Sequence, residues 1–376
     1  MDTNIMVFDE PAEVPIGHVG VELTRRRRDA QRQGVGVMRR AQMSNLIIFC
    51  QDHDRAALAD TLVPAIVRGH PARVLLLVGM ANEPDSPIRA FVQVRDVGPG
   101  PGDDLYCEQV TLKSAGRGVG DLPYAVRSHI IGDLPTNLWW ATPQPPPFAG
   151  PILHDLAESV QQVLYDSSGW LDPHRGMGAT HAWLERFERK PGRLAWRVAS
   201  DLNWRRLKPW RRALSQALAP DSAPGALQSI TEVLVEHGPH AVTHGWLLVS
   251  WLASRLQWTP RSVEVHPGDE ISWRLDSPQG VIRLVIRRLP EGPSQIRRVR
   301  VSCQMDGCQG ALDVSLEDQK RLCVRPDGFP GEPRTLAFSQ PTLAEMIGRQ
   351  LSDREEDPVF AQSIAFAQPM ARGVVN

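Results

Sequence analysis

Three glycines, Gly116, Gly118 and Gly120 in GRGVGDLP, are the nearest approach in this chain to a phosphate-cradling loop. Such a loop needs glycine where the backbone must come close to a phosphate, and then a helix start. Leu122 and Pro123 follow where the last glycine of GxGxxG belongs, and no Lys-Ser/Thr pair comes after them. The segment reads as a flexible surface turn. His237, His240 and His244 are the nearest approach to a metal site. The last two are four residues apart and would share a helix face, with Glu236 nearby. Zinc catalysis needs a further ligand and a base at defined spacing, as in HExxH, and neither is present. The reading here is a helix start carrying polar histidines. There is no GxSxG elbow, no cysteine has a histidine partner in the sequence, and the scattered carboxylates single out no acid–base pair. The motifs thus single out no catalytic residue, no metal ligand and no cofactor site, although active sites are assembled in three dimensions and a motif search alone does not decide the matter.

The thiols and arginines carry the remaining chemistry. Cys303 and Cys308 flank Asp306-Gly307, a favoured two-residue hairpin turn. That register sets Met305 opposite Cys308 and Cys303 opposite Gly310. The two thiols then share a face diagonally, with Cα atoms about 7–8 Å apart. A disulfide prefers about 5.5–6 Å, so packed or half-exposed thiols are favoured over a redox switch. A four-residue loop would instead place the pair directly opposite and permit a bridge. Arg283, Arg287, Arg298 and Arg300 alternate along GVIRLVIRRL and IRRVRVSC. If those strands pair, the arginines line one sheet face, either solvated or serving as a dock for an acidic partner surface. Arg25 to Arg28, with Arg32, Arg39 and Arg40, read as a solvated helix face, with a phosphate- or partner-binding arm as the alternative.

The elements that must position these groups follow from periodicity. The 376 residues suggest two domains, and 42% hydrophobic with 23% charged residues is an ordinary globular composition. A net charge of −1 argues against nucleic-acid binding. No apolar run reaches the roughly 18 residues that would cross a bilayer, and the acidic N-terminus lacks a signal-peptide pattern. Five scattered cysteines fit a reducing, cytoplasmic setting. Residues 1–44 read as an adapter segment. Residues 45–170 read as an α/β domain: NLIIF and HPARVLLLVG are buried strands around a helix from Asp54 to Gly69, IRAFVQVRDV and LYCEQVTL follow with GPGPG as a loop between them, and ILHDLAESVQQVLYDSS is a helix running into a strand. Residues 171–353 read as helical, then β-rich from 260. Within the helical part Pro209 starts a helix, ITEVLVEHG inserts a strand, and WLLVSWLASRLQW is a buried helix. Leu343 to Leu351 is a helix, and 354–376 a loosely ordered tail. The fold class is therefore α/β: a layered N-terminal domain with a mixed sheet, a helical middle and a largely antiparallel C-terminal module.

Three segments resemble the OpcA family. LYCEQVTL matches its Cys-x-Glu strand at Cys107 and Glu108. IIGDLPTNLWWA matches Asp-Leu-Pro followed by Leu-Trp-Trp, at Asp133, Leu134, Pro135, Leu138, Trp139 and Trp140. SDLNWRRLKPWRRAL is similar to Asp-Leu-x-Trp-x-Arg-Leu-x-Pro-Trp-Arg, at Asp201, Leu202, Trp204, Arg206, Leu207, Pro209, Trp210 and Arg211. The likeness runs from about residue 14 to 260 and is looser over the β-rich end. Lys208 stands where the family usually has a small hydroxyl residue, and lysine offers no acceptor oxygen to a helix start. The C-terminal cysteines do not clearly match those of the cyanobacterial members.

The resemblance implies a partner role that needs no catalytic group, and so a protein that is not an enzyme. The family binds glucose-6-phosphate dehydrogenase, favours its active oligomer and raises its activity, supporting the oxidative pentose phosphate pathway and NADPH supply. It implies no cofactor and no membrane. Adjacent residues of a strand face opposite ways, so only one of Trp139 and Trp140 can face a given core; the other must meet a second layer, a ligand or a partner. Candidate partner-binding residues are Trp139, Trp140, Trp204, Arg205, Arg206, Trp210 and Arg211, with Arg212 beside them. A contact surface is expected around Trp140, Arg206 and Arg211. The competing reading is an enzyme or sensor that binds a nucleotide or sugar phosphate on an α/β scaffold.

Overall fold

The structure, a computed structural model, describes residues 10–32, 42–97, 106–188, 197–305 and 308–375. It divides into two compact units, one of Met1–Asp166, Arg186–Leu202 and Thr342–Glu355, the other of Ser167–Glu185, Asn203–Pro341 and Glu356–Asn376.

The first unit is built on β1 (Ala12–Val14), β2 (Ser44–Cys50), β3 (Ala72–Met80), β4 (Ser86–Asp96), β5 (Tyr106–Ala115), β6 (Thr136–Trp140), β7 (Gln162–Tyr165) and β8 (Val198–Asp201). Among the described residues these form one sheet, in the order β1-β4-β5-β3-β2-β6-β7-β8. Strands from β5 to β8 in that order pair in parallel. β4 runs antiparallel on β5, and β1 antiparallel on β4. The continuous apolar runs explain the parallel centre, because a strand covered on both faces needs no polar alternation. All seven residues of β2 are buried. Counted within the parallel part, the order is 3-2-1-4-5-6, the doubly wound dinucleotide-binding topology.

Helices α1 (Val19–Arg32), α2 (His53–Gly69), α3 (Leu122–Arg127) and α4 (Pro151–Ala157) belong to this unit, with α10 (Leu343–Ser352) returning from far along the chain. The apolar stripe Ala59, Val63, Ile66 and Val67 of α2 packs in one buried cluster with Leu46, Ile48 and Trp139 of the sheet and Ile347 and Leu351 of α10. Thr342 and Glu345 form a reciprocal capping box that starts α10.

The second unit carries α5 (Pro173–Glu188, whose last residues fall in the first unit), α7 (Lys208–Ala217), α8 (Ala226–Ser229), α9 (Val242–Arg255) and α11 (Pro358–Val375). The short α6 (Leu202–Arg206) leads into α7. Its strands are β9 (Ile230–His237), β10 (Thr259–His266), β11 (Glu270–Ser277), β12 (Gly280–Arg288), β13 (Ile296–Met305), β14 (Cys308–Asp318), β15 (Arg321–Asp327) and β16 (Arg334–Ala337). They form a second sheet in the order β10-β11-β12-β9-β13-β14-β15-β16. Only the β9–β12 pairing is parallel among the pairings described. From Thr243 to Ala253 every residue of α9 is buried, as an apolar sequence all round requires.

Three expectations change. Residues 12–32 of the expected adapter segment are built into the first unit: β1 is an edge strand of its sheet, and Arg27 of α1 pairs with Glu108 of β5. Arg39 and Arg40, the GPGPG loop and the Asp306-Gly307 turn lie outside the described residues, as does the Arg32 side chain. GRGVGDLP is no flexible turn. Gly116–Asp121 is a 3-10 helix with Val119 buried, and a Cβ at Gly118 would lie 2.5 Å from Ser86 O, so glycine permits a close backbone approach here. The strand expected at ITEVLVEHG is β9, and it lies between β12 and β13 inside the second sheet. Finally, 358–375 is a helix and not a loose tail. It packs on α9 and β10, burying Phe360, Ile364, Ala367, Met370 and Ala371. That apolar stripe has helical spacing, but Pro369 obscures it in the sequence.

Candidate functional site

In a doubly wound sheet, ligands bind outside the carboxyl ends of the strands where the strand order reverses. Here that point lies between β2 and β6. A dinucleotide site needs a glycine-rich turn after the first strand, so that pyrophosphate can reach the helix N-terminus. Only Gln51 and Asp52 separate β2 from α2, and neither is glycine. The Asp52 carboxylate accepts from Arg55 N at 2.7 Å and caps α2 itself. Asp54 follows in the first turn, and Glu83 lies 3.9 Å from His53. Negative charge and a filled cap thus stand where a pyrophosphate would have to sit. Across the same opening Gln51 Nε2 donates to Gln144 Oε1 at 3.2 Å, and Ala141 N donates to Phe49 O. The residues present do not fit a dinucleotide.

The Leu-Trp-Trp strand lies beside this point, and both tryptophans are buried. Trp139 faces the α2–α10 cluster. On the opposite face Trp140 stacks on Phe49, centroids 4.7 Å apart and ring planes nearly parallel, and its indole N–H donates to Gln144 O. Trp140 therefore meets a second layer of the same unit and offers no contact surface. The preceding IIGDLP turn is held by Asn45, whose Nδ2 donates to Ile131 O at 3.0 Å and whose Oδ1 accepts from Ile131 N.

The Cys-x-Glu motif has a structural task too. Glu108 is buried on β5 and accepts from both Nε and Nη2 of Arg73 and from Gln42; Arg27 of α1 pairs with it at 3.3 Å. Burial alone would raise its carboxyl, but Arg73, Gln42 and Arg27 together hold it below the usual range. Cys107 is fully buried and its thiol is pushed up to about 12 by that burial.

In the second unit Trp204 of the Asp-Leu-x-Trp motif is a clamp on the C-terminal helix. The Trp204 ring is buried, and its Nε1 donates to Asp357 Oδ2 at 2.7 Å. Asp357 in turn caps α11 by accepting from Val359 N and Phe360 N at 2.9 and 3.0 Å. Arg211 lies 3.3 Å over the Trp204 ring and donates to Trp204 O. Its burial lowers the guanidinium to about 10, with Asp357 opposing the shift. Trp210 is buried edge-on to Phe338. Arg206 reaches Ser168 Oγ at 3.2 Å; Arg205 and Arg206 are half-buried, and Arg212 is exposed. Of the expected contact residues, Trp204, Trp210 and Arg211 are thus held inside the unit. Arg205, Arg206 and Arg212 have surface to offer. Asp357, missed from the sequence, has a readable signal: Asp-Pro just before a helix is a cap followed by N1 proline.

Arg283, Arg287, Arg298 and Arg300 do share one sheet face, but not as a basic patch. Glu270, Arg287, Glu236 and Arg298 alternate in sign across adjacent strands, with Arg287–Glu270 at 2.9 Å and both arginines 3.7 Å from Glu236. Arg283 pairs with Glu232 and Glu270, Arg298 with Asp313, and Arg300 with Asp313 and Asp327. An acidic partner would have to displace these carboxylates.

The β13–β14 register sets Met305 opposite Cys308 and Cys303 opposite Gly310, as a two-residue turn requires. The Cys303 thiol is buried against Ala226 O and burial raises its pKa; the Cys308 side chain lies outside the described residues. His240 has a left-handed backbone ahead of α9, whereas His244 is buried within it, so the two share no helix face. Among the described residues no cluster of His, Cys, Asp or Glu could hold a metal, and no helix is long and apolar enough to cross a membrane.

Residues 63–182 match the domain family described as glucose-6-phosphate dehydrogenase subunit N-terminal domain, and residues 197–364 its C-terminal counterpart. The OxPP cycle protein OpcA of Nostoc punctiforme is 29% identical over 44% of this chain and 33% of its own length. That of Synechococcus elongatus is 25% identical over 69% of this chain and 59% of its own. The chain thus spans less than two thirds of the length of these relatives. Among solved structures, the transcriptional regulator Gal80p from Kluyveromyces lactis is similar in fold alone, with a TM-score of 0.50 at 8% identity over 92% of this chain and 95% of that one.

Proposed function

Because the chain belongs to the OpcA family, we propose that it is a non-catalytic assembly factor and allosteric activator that binds glucose-6-phosphate dehydrogenase. It favours the enzyme's active oligomer and so supports the oxidative pentose phosphate pathway and NADPH supply in the cytoplasm. The observation that carries this reading is the β2–α2 turn. A dinucleotide-binding topology is retained, yet the Asp52 carboxylate caps the helix at the place reserved for pyrophosphate. Fold without the matching chemistry favours a scaffold that contributes binding energy. A protein with higher affinity for one oligomer or conformer of an enzyme shifts the population toward it, and needs no reactive group to do so.

Arg205, Arg206 and Arg212 are the proposed contact residues from the tryptophan motif. Arg211 is excluded from this test because it stacks on Trp204, so its loss would disturb the clamp. The experiment measures the initial rate of NADPH formation by the dehydrogenase of the same source, with and without this protein. The wild-type chain should raise the rate. Arg206→Ala combined with Arg212→Ala should raise it less, with an unchanged unfolding temperature. An equal rate with all proteins would remove these residues from the contact, and no effect of the wild-type chain would remove the activator role.

A further inference from the structure

Within the second unit a cavity of about 310 Å³ opens between the start of α9, the β10–β11 turn and the end of β12. It lies at the lower end of ligand-pocket sizes, about 300–1,000 Å³, and so suits a single sugar-sized molecule better than a dinucleotide. Its floor is apolar: Ile271 and Ile286 are buried, and Val242 lies beside them. His174 and His266 also line it, and the polar groups that would hold a ligand are of two kinds. Arg288 is exposed at the wall; its backbone N–H donates to Asp269 O at 2.7 Å, while its guanidinium has no hydrogen bond or ion pair among the described residues. Close to it, α9 begins at Val242 behind Ala241, which supplies no side-chain acceptor to the opening N–H groups. Both features favour an anion.

The second kind is a fixed imidazole. His237 is 3% exposed, and its Nδ1 lies 2.7 Å from Gly238 O. That carbonyl can only accept, so Nδ1 carries the proton and the other ring nitrogen, Nε2, is an acceptor in the neutral ring. Burial and the nearby Arg288 both disfavour a second proton, against the carbonyl of Gly238. A neutral Nε2 acceptor calls for a hydroxyl donor. Two carboxylates also line the cavity. Glu270 is committed to Arg283 and Arg287, and Asp269 is exposed at the rim, where water screens it.

We propose that this cavity is a binding site for a small hydroxylated phosphate monoester, with its phosphate on Arg288 and the opening of α9, a hydroxyl on His237 Nε2 and its carbon skeleton over Ile271 and Ile286. The site lies wholly within the second unit and does not depend on the dehydrogenase partnership.

The test titrates the purified full-length chain with glucose 6-phosphate by calorimetry and follows the His237 ring nitrogens by NMR. Glucose and inorganic phosphate are run separately. Saturable one-site binding is expected, with a shift at His237 Nε2 and weaker binding of either half alone. Arg288→Ala, an exposed substitution that spares the core, should weaken it by about 10- to 100-fold, the loss of one charged hydrogen-bond partner. Absence of saturable binding at millimolar glucose 6-phosphate overturns the proposal. So does unchanged affinity in R288A, or inorganic phosphate binding as tightly as the sugar phosphate, which would mark an anion site without the hydroxyl contact.

Discussion

Replacing Asp357 with alanine removes the cap of α11 and the acceptor of the Trp204 indole in one step. Loss of an aspartate N-cap costs about 1 kcal/mol. The indole N–H, in a ring that is 6% exposed, is left without its acceptor, at roughly 1–2 kcal/mol. Arg211 over the same ring also loses its opposing carboxylate; Asp357 is itself exposed, so that adds no more than about 1 kcal/mol. The variant should therefore lose roughly 2–4 kcal/mol locally. With two units, a single two-state fit is not assumed. The deciding assay is native-state hydrogen exchange on residues 358–375, where protection should fall by about 30- to 1,000-fold, the same energies expressed as opening equilibria. Trp204→Phe removes the donor, so in that background D357A should cost about 1–2 kcal/mol, the cap and the Arg211 attraction without the indole. Unchanged protection in D357A, or equal costs in the two backgrounds, would refute the clamp.

Glu108→Gln should destabilise the first unit by roughly 3 kcal/mol at neutral pH, because Arg73 and Arg27 lose their shared buried carboxylate. The Glu108 pKa is depressed on folding. Its stabilisation is present above the unfolded value of about 4.3 and is lost as pH falls from there through the lower folded value. An acid titration of stability should thus be flatter in E108Q than in the parent. Cys50 and Cys107 are pushed up to about 12 by burial, so neither should react with a disulfide reagent at neutral pH until the chain unfolds, read by mass spectrometry of labelled peptides. Millimolar NAD or NADP should leave the melting temperature unmoved, since Asp52 and Glu83 oppose a pyrophosphate at the β2–α2 turn; a saturable rise would contradict the reading of that crevice.

The parallel core was legible because its strands are continuous apolar runs, and the buried α9 because its residues are apolar all round. The β13–β14 register was legible from one Asp-Gly pair. What the sequence hid is long-range. Nothing local announces that residues 342–352 return to pack on α2, or that 358–375 closes on α9. Periodicity gave the arginine face of the second sheet but not its charge. The compensating Glu236, Glu270 and Asp313 sit on other strands, and their pairing depends on register. The tryptophan motifs were conspicuous by composition, yet burial of Trp139, Trp140, Trp204 and Trp210 assigns them to packing. Exposure, which decides whether an aromatic residue is core or contact, is not written in residue type.

The assembly role proposed for this chain rests on its association with the dehydrogenase. The direct measurement is the mass of the purified dehydrogenase in solution, alone and with this chain added in excess. A heavier complex containing both polypeptides is expected, with the enzyme's oligomer equilibrium moved toward its larger form. Two non-interacting species, each at its own mass in both reducing and oxidising buffer, would contradict it.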